Sequence, residues 1–330
     1  MLSSLMNGPL MYVFLLVGFV FLIKGADFFV DGASSIARIL KVSPLIIGLT
    51  IVAFGTSFPE LAVSVTSAIK GQNALAVGNV VGSNIFNILM VLGFSAIFMP
   101  VLVQKNLIQK DLPFNILISF VLFVLSFDIF FSNFGAQTSN ILSRGDGIVL
   151  LSLFAIYMFY IVFSALSSRS EFESQTEGDI KQMGVVKSII FTVCGAAAIV
   201  IGGDLTVDAA TAIALHWGMS ETLVGLTIVA IGTSLPELVT SIIAAKKGEC
   251  DLAVGNVVGS NIFNILLILG VSSVINPIEL TDPNLLVDML VMLGISVMVF
   301  GISIPKKIRR WEGIILILMY AAYMTYIVLR

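Results

Sequence analysis

Two glutamates lie in the middle of long apolar segments, each at the end of the same six-residue motif. The motif is Gly-Thr-Ser-x-Pro-Glu, and it ends at Glu60 in the first half of the chain and at Glu237 in the second. A charged residue at the centre of a bilayer costs about 2.5 to 3.5 kcal/mol on insertion scales, so it is a functional candidate by default. Two carboxylates brought together need a cation or a proton to coexist. We therefore expect both to hold transported cations, and the alternative is a pair of protonated glutamates used for packing.

Pro59 in the first motif and Pro236 in the second predict a break in each of these helices. A proline inside a helix removes one backbone donor and clashes with the preceding turn, and the glycine four residues before each proline eases unwinding. We expect unpaired carbonyls at residues 53–56 and at their copies, available as oxygen ligands. Such carbonyls are tolerated at membrane depth only where protein or ions satisfy them.

A second repeated motif, Gly-Asn-x-x-Gly-Ser-Asn-x-x-Asn, follows each copy of the first and ends at Asn87 and at Asn264. In each copy, two asparagines and the serine between them are spaced four residues apart, so they share one helix stripe. Cation ligation is the favoured role for four residues, which are Ser83, Asn87, Ser260 and Asn264. Packing between helices stays open as the role of four others, which are Asn79, Asn84, Asn256 and Asn261.

The motifs supply two carboxylates and otherwise neutral oxygens, with no thiolate or imidazole. Such a set suits hard cations such as calcium and sodium and is a poor match for zinc or copper. The single histidine, His216, is expected in a loop. Because the apolar segments contain no Ser-His or His-Glu zinc pattern, we predict neither an enzyme nor a cofactor, with calcium and sodium as cargo.

Membrane helices must position these residues. Of the 330 residues, 58% are hydrophobic and only 11% are charged, and the mean hydropathy is +1.08. These values exclude an ordinary soluble domain, and apolar stretches of about 18 to 25 residues recur along the chain. No basic run with interleaved aromatic residues suggests a nucleic-acid partner. The lipid bilayer is the expected partner, and no obligate protein partner is predicted.

The predicted fold is an all-α polytopic membrane protein of ten transmembrane helices, with helices two and seven broken. The first repeat, residues 1–166, contains helices at 10–38, 44–69, 74–99, 112–132 and 145–166. A polar cytoplasmic linker, residues 167–184, follows. The second repeat, residues 185–330, contains helices at 185–213, 220–245, 251–276, 284–303 and 311–329.

The two halves are related in sequence, because residues 48–93 recur as residues 225–270 with 33 of 46 positions identical. The offset of 177 also relates Asp27 to Asp204 and Asp31 to Asp208. Five predicted helices separate equivalent positions, so the copies cross the membrane in opposite directions. Inverted repeats are typical of secondary transporters. A duplicated channel or scaffold is the alternative.

The basic residues predict the orientation of the helices. The ten-helix assignment puts 13 of the 17 basic residues on one side and three on the other, with Lys24 inside the first helix. The side with more basic residues is expected to be cytoplasmic, so both termini face outside. Residues 1–7 lack the features of a cleaved signal peptide, so we expect the first helix to be retained.

The two motifs resemble the α-repeats of the cation/calcium exchanger superfamily, in particular the prokaryotic sodium/calcium exchangers, and the likeness spans the whole chain. The resemblance implies an antiporter of the inner or plasma membrane that exchanges calcium for sodium by alternating access, with helices one and six sliding across the bundle. It implies cation sites between helices two, three, seven and eight. Alanine and threonine would contribute carbonyls and the other residues side chains. The implied ligands are Ala53, Thr56, Ser57, Glu60, Ser83, Asn87, Ala230, Thr233, Ser234, Glu237, Ser260 and Asn264.

One position departs from part of the superfamily. Some relatives, including potassium-dependent ones, have aspartate where this chain has Asn264, and Asn87 is neutral as well. This difference disfavours potassium coupling. A proton/calcium antiporter stays open as the second interpretation, because a paired buried glutamate can exchange a proton. A cation channel lined by similar oxygens is the third.

Overall fold

The chain folds into helices joined mainly by short connections, and the computed structural model describes residues 10–71, 74–127, 140–167, 183–218, 230–280, 282 and 284–329. Within these residues, eight helices are long and apolar enough to span a membrane, and a further span is a pair of helices bent by 49°. The all-helical membrane fold is thus confirmed. The helices are α1 (Leu10–Leu40), α2 (Pro44–Thr56), α3 (Phe58–Ile69), α4 (Ala76–Phe98), α5 (Leu107–Ser126), α6 (Arg144–Ser167), α7 (Val185–His216), α8 (Ala230–Gly232), α9 (Leu235–Lys246), α10 (Cys250–Ile275), α11 (Leu285–Ser303) and α12 (Arg310–Leu329).

The predicted boundary that differs most is that of the fourth helix, expected at residues 112–132. Helix α5 begins five residues earlier, because Leu107–Asp111 forms a π-helical turn in which Asp111 accepts a hydrogen bond from the Tyr157 hydroxyl at 3.3 Å. It ends at Ser126, because Phe127 leaves helical geometry with φ −123° and ψ 55°. His216, expected in a loop, is the last residue of α7. Residues 219–229, the start of the predicted seventh helix, lie outside the described residues.

Helices α4 and α10, which carry the second motif, form the centre of the bundle. In each, 78% of the most apolar 18-residue window is buried, whereas the other long spans do not exceed 44%. The motif residues therefore lie among α2 to α4, which correspond to predicted helices two and three, and among their copies α8 to α10. Polar side chains on α4 and α10 are shielded from lipid by the helices around them.

Glycines bring α1 and α7 into close backbone contact. A Cβ atom built at Gly202 would lie 2.6 Å from the Leu22 nitrogen, and one built at Gly195 would lie 2.6 Å from the Phe29 nitrogen. Small residues allow this approach between membrane helices. The two long helices therefore form one packed pair.

Replacing Gly202 by leucine should destabilise the folded protein, because its side chain would collide with the backbone of α1. Overpacking of this kind costs about 1–3 kcal/mol. Thermal unfolding of the detergent-purified variant, followed by size-exclusion fluorescence, measures the effect. The matched control is Gly294→Leu on α11, where an added Cβ meets nothing within 4 Å. Equal melting temperatures for both variants would contradict the close packing.

Contacts between helix ends define two ends of the bundle. At the β1–β4 end, two short strands pair antiparallel, Arg38 forms an ion pair with Glu249 at 2.8 Å, and the Gln104 amide donates to Asp251 at 2.6 Å. At the β2–β3 end, the other two strands pair, and the Asn276 amide donates to the Ala68 carbonyl at 3.3 Å. The strands are β1 (Val101–Leu102), β2 (Ile141–Leu142), β3 (Ile278–Glu279) and β4 (Lys307–Ile308).

The basic residues divide unequally between these two ends. Lys306, Lys307 and Arg309 adjoin or form β4, and Lys247 follows α9, two residues before Glu249. Lys70 and Arg144 lie at the β2–β3 end, next to Ala68 and β2. Residues that the sequence assigns to the same side of the membrane therefore lie at the same end of the bundle.

Candidate cation site

Each copy of the first motif breaks its helix at the serine. Ser57 has φ −83° and ψ 7°, and Ser234 has φ −94° and ψ 5°. Helices α3 and α9 begin at the next residue, with a proline in the first two positions. Glu60 and Glu237 therefore lie in the first turn of a helix, where the backbone dipole favours a negative charge. The local sequence alone thus places both carboxyl groups at a break.

The expected pattern of unpaired carbonyls is wrong at Ala53. Its carbonyl accepts a hydrogen bond from the Ser57 nitrogen at 3.0 Å. The reason is the spacing: a helical bond joins residues four apart, so Pro59 removes the donor for Gly55 and leaves the donor for Ala53 in place. The prediction therefore set the beginning of the gap too early.

The two glutamates are fully buried, and each is held by a serine from the other half of the chain. The Ser57 hydroxyl donates to Glu237 Oε1 at 2.8 Å, and the Ser234 hydroxyl donates to Glu60 Oε1 at 3.3 Å. Since Ser234 is the copy of Ser57 and Glu237 is the copy of Glu60, one contact is made twice in opposite directions. The second oxygen of each glutamate, Oε2, is buried without a hydrogen-bond partner.

Helices α4 and α10 adjoin these carboxyl groups through their serines. The Ser234 and Ser83 hydroxyl oxygens lie 3.0 Å apart, and the Ser260 hydroxyl donates to Glu237 Oε1 at 3.4 Å. Asn87 lies one turn beyond Ser83, and Asn264 lies one turn beyond Ser260. The second motif thus runs past the glutamates on both central helices.

Two amide oxygens on these helices are also buried without partners, Asn87 Oδ1 and Asn264 Oδ1. Both residues lie in π-helical turns, which often occur at functional sites. The amide nitrogens are engaged: Asn87 Nδ2 donates to Asn261 Oδ1 at 3.2 Å, and Asn264 Nδ2 donates to Asn84 Oδ1 at 3.0 Å. Because native proteins rarely leave buried acceptors unpaired, this set calls for an explanation.

The hydroxyls of the motif threonines are occupied by asparagines of the other half. Thr56 donates to Asn256 Oδ1 at 2.9 Å, and Thr233 donates to Asn79 Oδ1 at 3.4 Å. These contacts give Asn79 and Asn256 a packing role, as the alternative interpretation held. Apart from Ala230, whose side chain lies outside the described residues, the predicted site residues all lie at the contact between the two halves.

In the part of the chain that the structure describes, the two glutamates are not part of a larger cluster of acidic or other metal-binding side chains. Among the described residues, no group of three or more His, Cys, Asp or Glu side chains could hold a metal ion. Any cation bound here would meet two carboxylates and otherwise neutral oxygens. Such oxygens suit hard cations, and few charges favour reversible binding.

The sequence matches the family model for the sodium/calcium exchanger protein over residues 10–163 and 187–329. The chain belongs to the sodium/calcium exchanger family. Its members are ion exchangers and not enzymes, and the resemblance stated from the two motifs is confirmed.

Relatives of the chain are similar over most of their length. The sodium/calcium exchanger MaX1 of Methanosarcina acetivorans is 35% identical over 339 residues, covering 95% of this chain and 97% of MaX1. Inner membrane protein YrbG of Escherichia coli is 38% identical over 290 residues, covering 86% and 85%. A structure of the sodium-calcium exchanger NCX_Mj soaked with Na+ and Ca2+ matches with a TM-score of 0.81 at 35% identity, covering 96% and 98%.

These matches establish a membrane protein of the exchanger family with the NCX_Mj fold. Sodium and calcium are the ions that the family name implies. The number of ten helices and the inversion of the repeats stay predictions, since the described residues include eight long spans and one bent pair.

Proposed function

We propose that the chain is a secondary-active antiporter that exchanges calcium for sodium across the inner or plasma membrane by alternating access. The observation that carries this proposal is the mirrored set of four buried acceptor oxygens: Glu60 Oε2, Glu237 Oε2, Asn87 Oδ1 and Asn264 Oδ1. Only a cation or a donor can satisfy acceptors, and carboxylate and amide oxygens are the ligands that calcium takes in proteins. The family membership supports the same ions.

The remaining ligands in this proposal come from the same motifs. The backbone carbonyls of Thr56, Ala230 and Thr233, the second lone pair of the Ala53 carbonyl and the hydroxyls of the motif serines complete the coordination around the two glutamates. With both glutamates ionised, the site has a formal charge of −2. One calcium ion neutralises that charge, and so do two sodium ions, which gives the two cargoes a common site.

The reciprocal contacts between the halves support an inverted repeat. When one residue contacts a second and the copy of the second contacts the copy of the first, a two-fold axis relates the two parts. With five helices in each half, that axis lies in the membrane plane and the chain has ten spans. Rocking or sliding of one half against the other then exposes the central site to each side in turn.

The proposed exchange is tested by calcium-45 uptake into proteoliposomes loaded with sodium. We expect uptake when the external medium lacks sodium, and its collapse when sodium is equal on both sides. Empty liposomes and the variant Glu60→Gln are the controls. Uptake that follows a proton gradient without sodium would instead favour a proton/calcium antiporter, and uptake that needs no counter-ion would favour a channel.

The orientation is tested by labelling single cysteines in intact cells. In a chain without Cys194 and Cys250, a cysteine placed in residues 167–184 should be protected from an impermeant maleimide, because the end with more basic residues faces the cytoplasm. A cysteine at Asp282 should be labelled. The reverse pattern would invert the proposed topology and place both termini inside.

A further inference from the structure

We propose that Asn84 and Asn261 are positioning residues that hold the amides of Asn264 and Asn87 with their oxygens toward the cation. This inference rests on the proposed function. Asn264 donates its amide nitrogen to Asn84 Oδ1, and Asn87 donates its amide nitrogen to Asn261 Oδ1, with all four side chains buried. A primary amide has its oxygen and its NH2 on opposite branches, so an acceptor that binds the NH2 fixes the direction of the oxygen.

Asn84 is itself oriented by its surroundings. Its Nδ2 atom lies 3.4 Å from the backbone oxygen of Asn261 and 3.7 Å from Met292 Sδ. Its oxygen is therefore the atom that remains to receive Asn264. Without that acceptor, the Asn264 amide would be free to turn its NH2 toward a bound cation. Losing a partner outside the ligand shell typically costs about 10–100-fold in metal affinity.

The test is calcium binding to the detergent-purified protein by titration calorimetry. Asn261→Leu and Asn84→Leu, which remove the acceptor at similar volume, should each weaken binding about tenfold or more. The matched control is Asn115→Leu, a buried amide on α5 that donates to Ser296 at 3.5 Å, and its affinity should equal that of the wild type. If one leucine variant fails to fold, its mirrored counterpart gives the same comparison.

A double-mutant cycle separates positioning from a general structural effect. Once Asn87 is alanine there is no amide to hold, so adding Asn261→Leu should weaken calcium binding no further. Full additivity, or unchanged affinity in Asn261→Leu, would overturn the positioning role while leaving the exchange function intact. Absence of calcium binding by the wild type would instead overturn the proposed function and this inference with it.

A second inference rests on different residues, a charged contact that is formed in only one half. The Lys247 ammonium lies 2.6 Å from a carboxylate oxygen of Asp27 and 2.6 Å from one of Asp31. The aspartates are one turn apart on α1, and Lys247 caps the carboxyl end of α9. The contact ties α1 to α9 at the β1–β4 end.

The offset of 177 relates these residues to Lys70, Asp204 and Asp208. Within the described part of the chain, none of the three forms an ion pair, and Lys70 is exposed after α3. The serine–glutamate hydrogen bonds between the halves are made in both directions, whereas this ion-pair contact is formed in only one half.

Apolar packing shows the same asymmetry. Leu235 and Val239 of α9 pack against the cluster that contains Phe29 and Ala33 of α1. Phe58, the copy of Leu235, is 48% exposed. The same face of the repeat is covered by α1 in the second half and open in the first.

We infer that the two Lys-Asp-Asp sets are alternating locks between two states of the protein. In the state described, Lys247 holds α1 closed at the β1–β4 end. In the other state, the contact of Lys247 opens and Lys70 closes the β2–β3 end by binding Asp204 and Asp208 on α7. Because each lock stabilises one state only, breaking either one shifts the population toward the other state.

Hydrogen exchange of the purified protein tests the locks without requiring transport. Lys247→Gln should speed amide exchange in residues 240–249 about two- to fivefold, the effect of losing the partly exposed ion pairs to Asp27 and Asp31. Lys70→Gln should slow exchange there. The charge swap Lys247→Asp with Asp31→Lys should restore the wild-type rate. The neighbouring Lys246, which lies over the Phe98 ring at 4.3 Å, gives the control Lys246→Gln.

Two outcomes would overturn the locks. One is a shift in the same direction for Lys247→Gln and Lys70→Gln, which a general loss of stability would produce. The other is equal exchange in Lys247→Gln and Lys246→Gln. Either result leaves the proposed exchange of calcium for sodium untouched, since no cation gradient enters this measurement.

Discussion

Replacing either Glu60 or Glu237 by glutamine abolishes calcium exchange, while the variant protein still inserts into the membrane. Glutamine keeps the shape of the side chain and its hydrogen-bond acceptor for the serine of the other half, but it removes one of the two charges. A lone buried carboxylate does not restore a divalent site. The double variant should therefore be little worse than either single variant, in contrast to two independent sites.

The measurement is sodium-gradient-driven calcium-45 uptake at matched protein content in proteoliposomes. The control is Glu249→Gln, which removes a carboxylate that pairs with Arg38 at a helix end and is expected to cost no more than about 1 kcal/mol. That variant should transport normally. Exchange near the wild-type rate in Glu60→Gln or Glu237→Gln would contradict a shared site.

An inside-positive potential should speed calcium uptake in exchange for internal sodium. The site has a formal charge of −2 with Asn87 and Asn264 neutral, so calcium brings the charge to zero. Three sodium ions, the third held by the neutral oxygens of the motif serines, bring it to +1. Each cycle then moves one positive charge outward, worth about 2.3 kcal/mol per 100 mV across the full field.

Potassium gradients with valinomycin set the potential in proteoliposomes. Uptake should rise when the interior is positive and fall when it is negative, with uptake into sodium-free vesicles as the background. Rates that stay the same at potentials of either sign would exclude the +1 state. They would favour the exchange of two sodium ions for one calcium ion.

The positions of the motif residues could be predicted from sequence because their determinants are local. Pro59 and Pro236 break their helices whatever surrounds them, and a carboxyl group one residue later is carried to the break by the chain itself. The four-residue spacing of Ser83 and Asn87 fixes their common stripe on α4. Repetition of both motifs in the second half then predicts where the two stripes meet.

The features that sequence reasoning missed depend on which residue of one half touches which residue of the other. Asn84 and Asn261 have the same residue type and motif as the predicted ligands, and only the direction of their hydrogen bonds separates the two pairs. The repeat relates Asp27 and Asp31 to Asp204 and Asp208, but their contact with Lys247 crosses from α1 to α9. The spacing of residues within one helix does not predict a contact between two helices.

The predicted start of the fourth helix, here α5, was wrong for a related reason. Lys110 and Asp111 look like the polar edge of a span, so the predicted helix began after them. In the folded chain, Tyr157 of α6 donates a hydrogen bond to Asp111 and offsets part of the cost of burying its carboxyl group. Because another helix supplies this partner, α5 includes residues 107–111, which hydropathy alone assigns to a loop.

Anomalous diffraction from crystals soaked in calcium tests whether the two glutamates bind the same ion. We expect one strong peak between the two halves, with Glu60 Oε2 and Glu237 Oε2 both at about 2.3–2.6 Å from the ion. The peak should disappear when calcium is replaced by a high concentration of sodium. A calcium peak elsewhere in the bundle, or a peak bound by only one of the two glutamates, would contradict it.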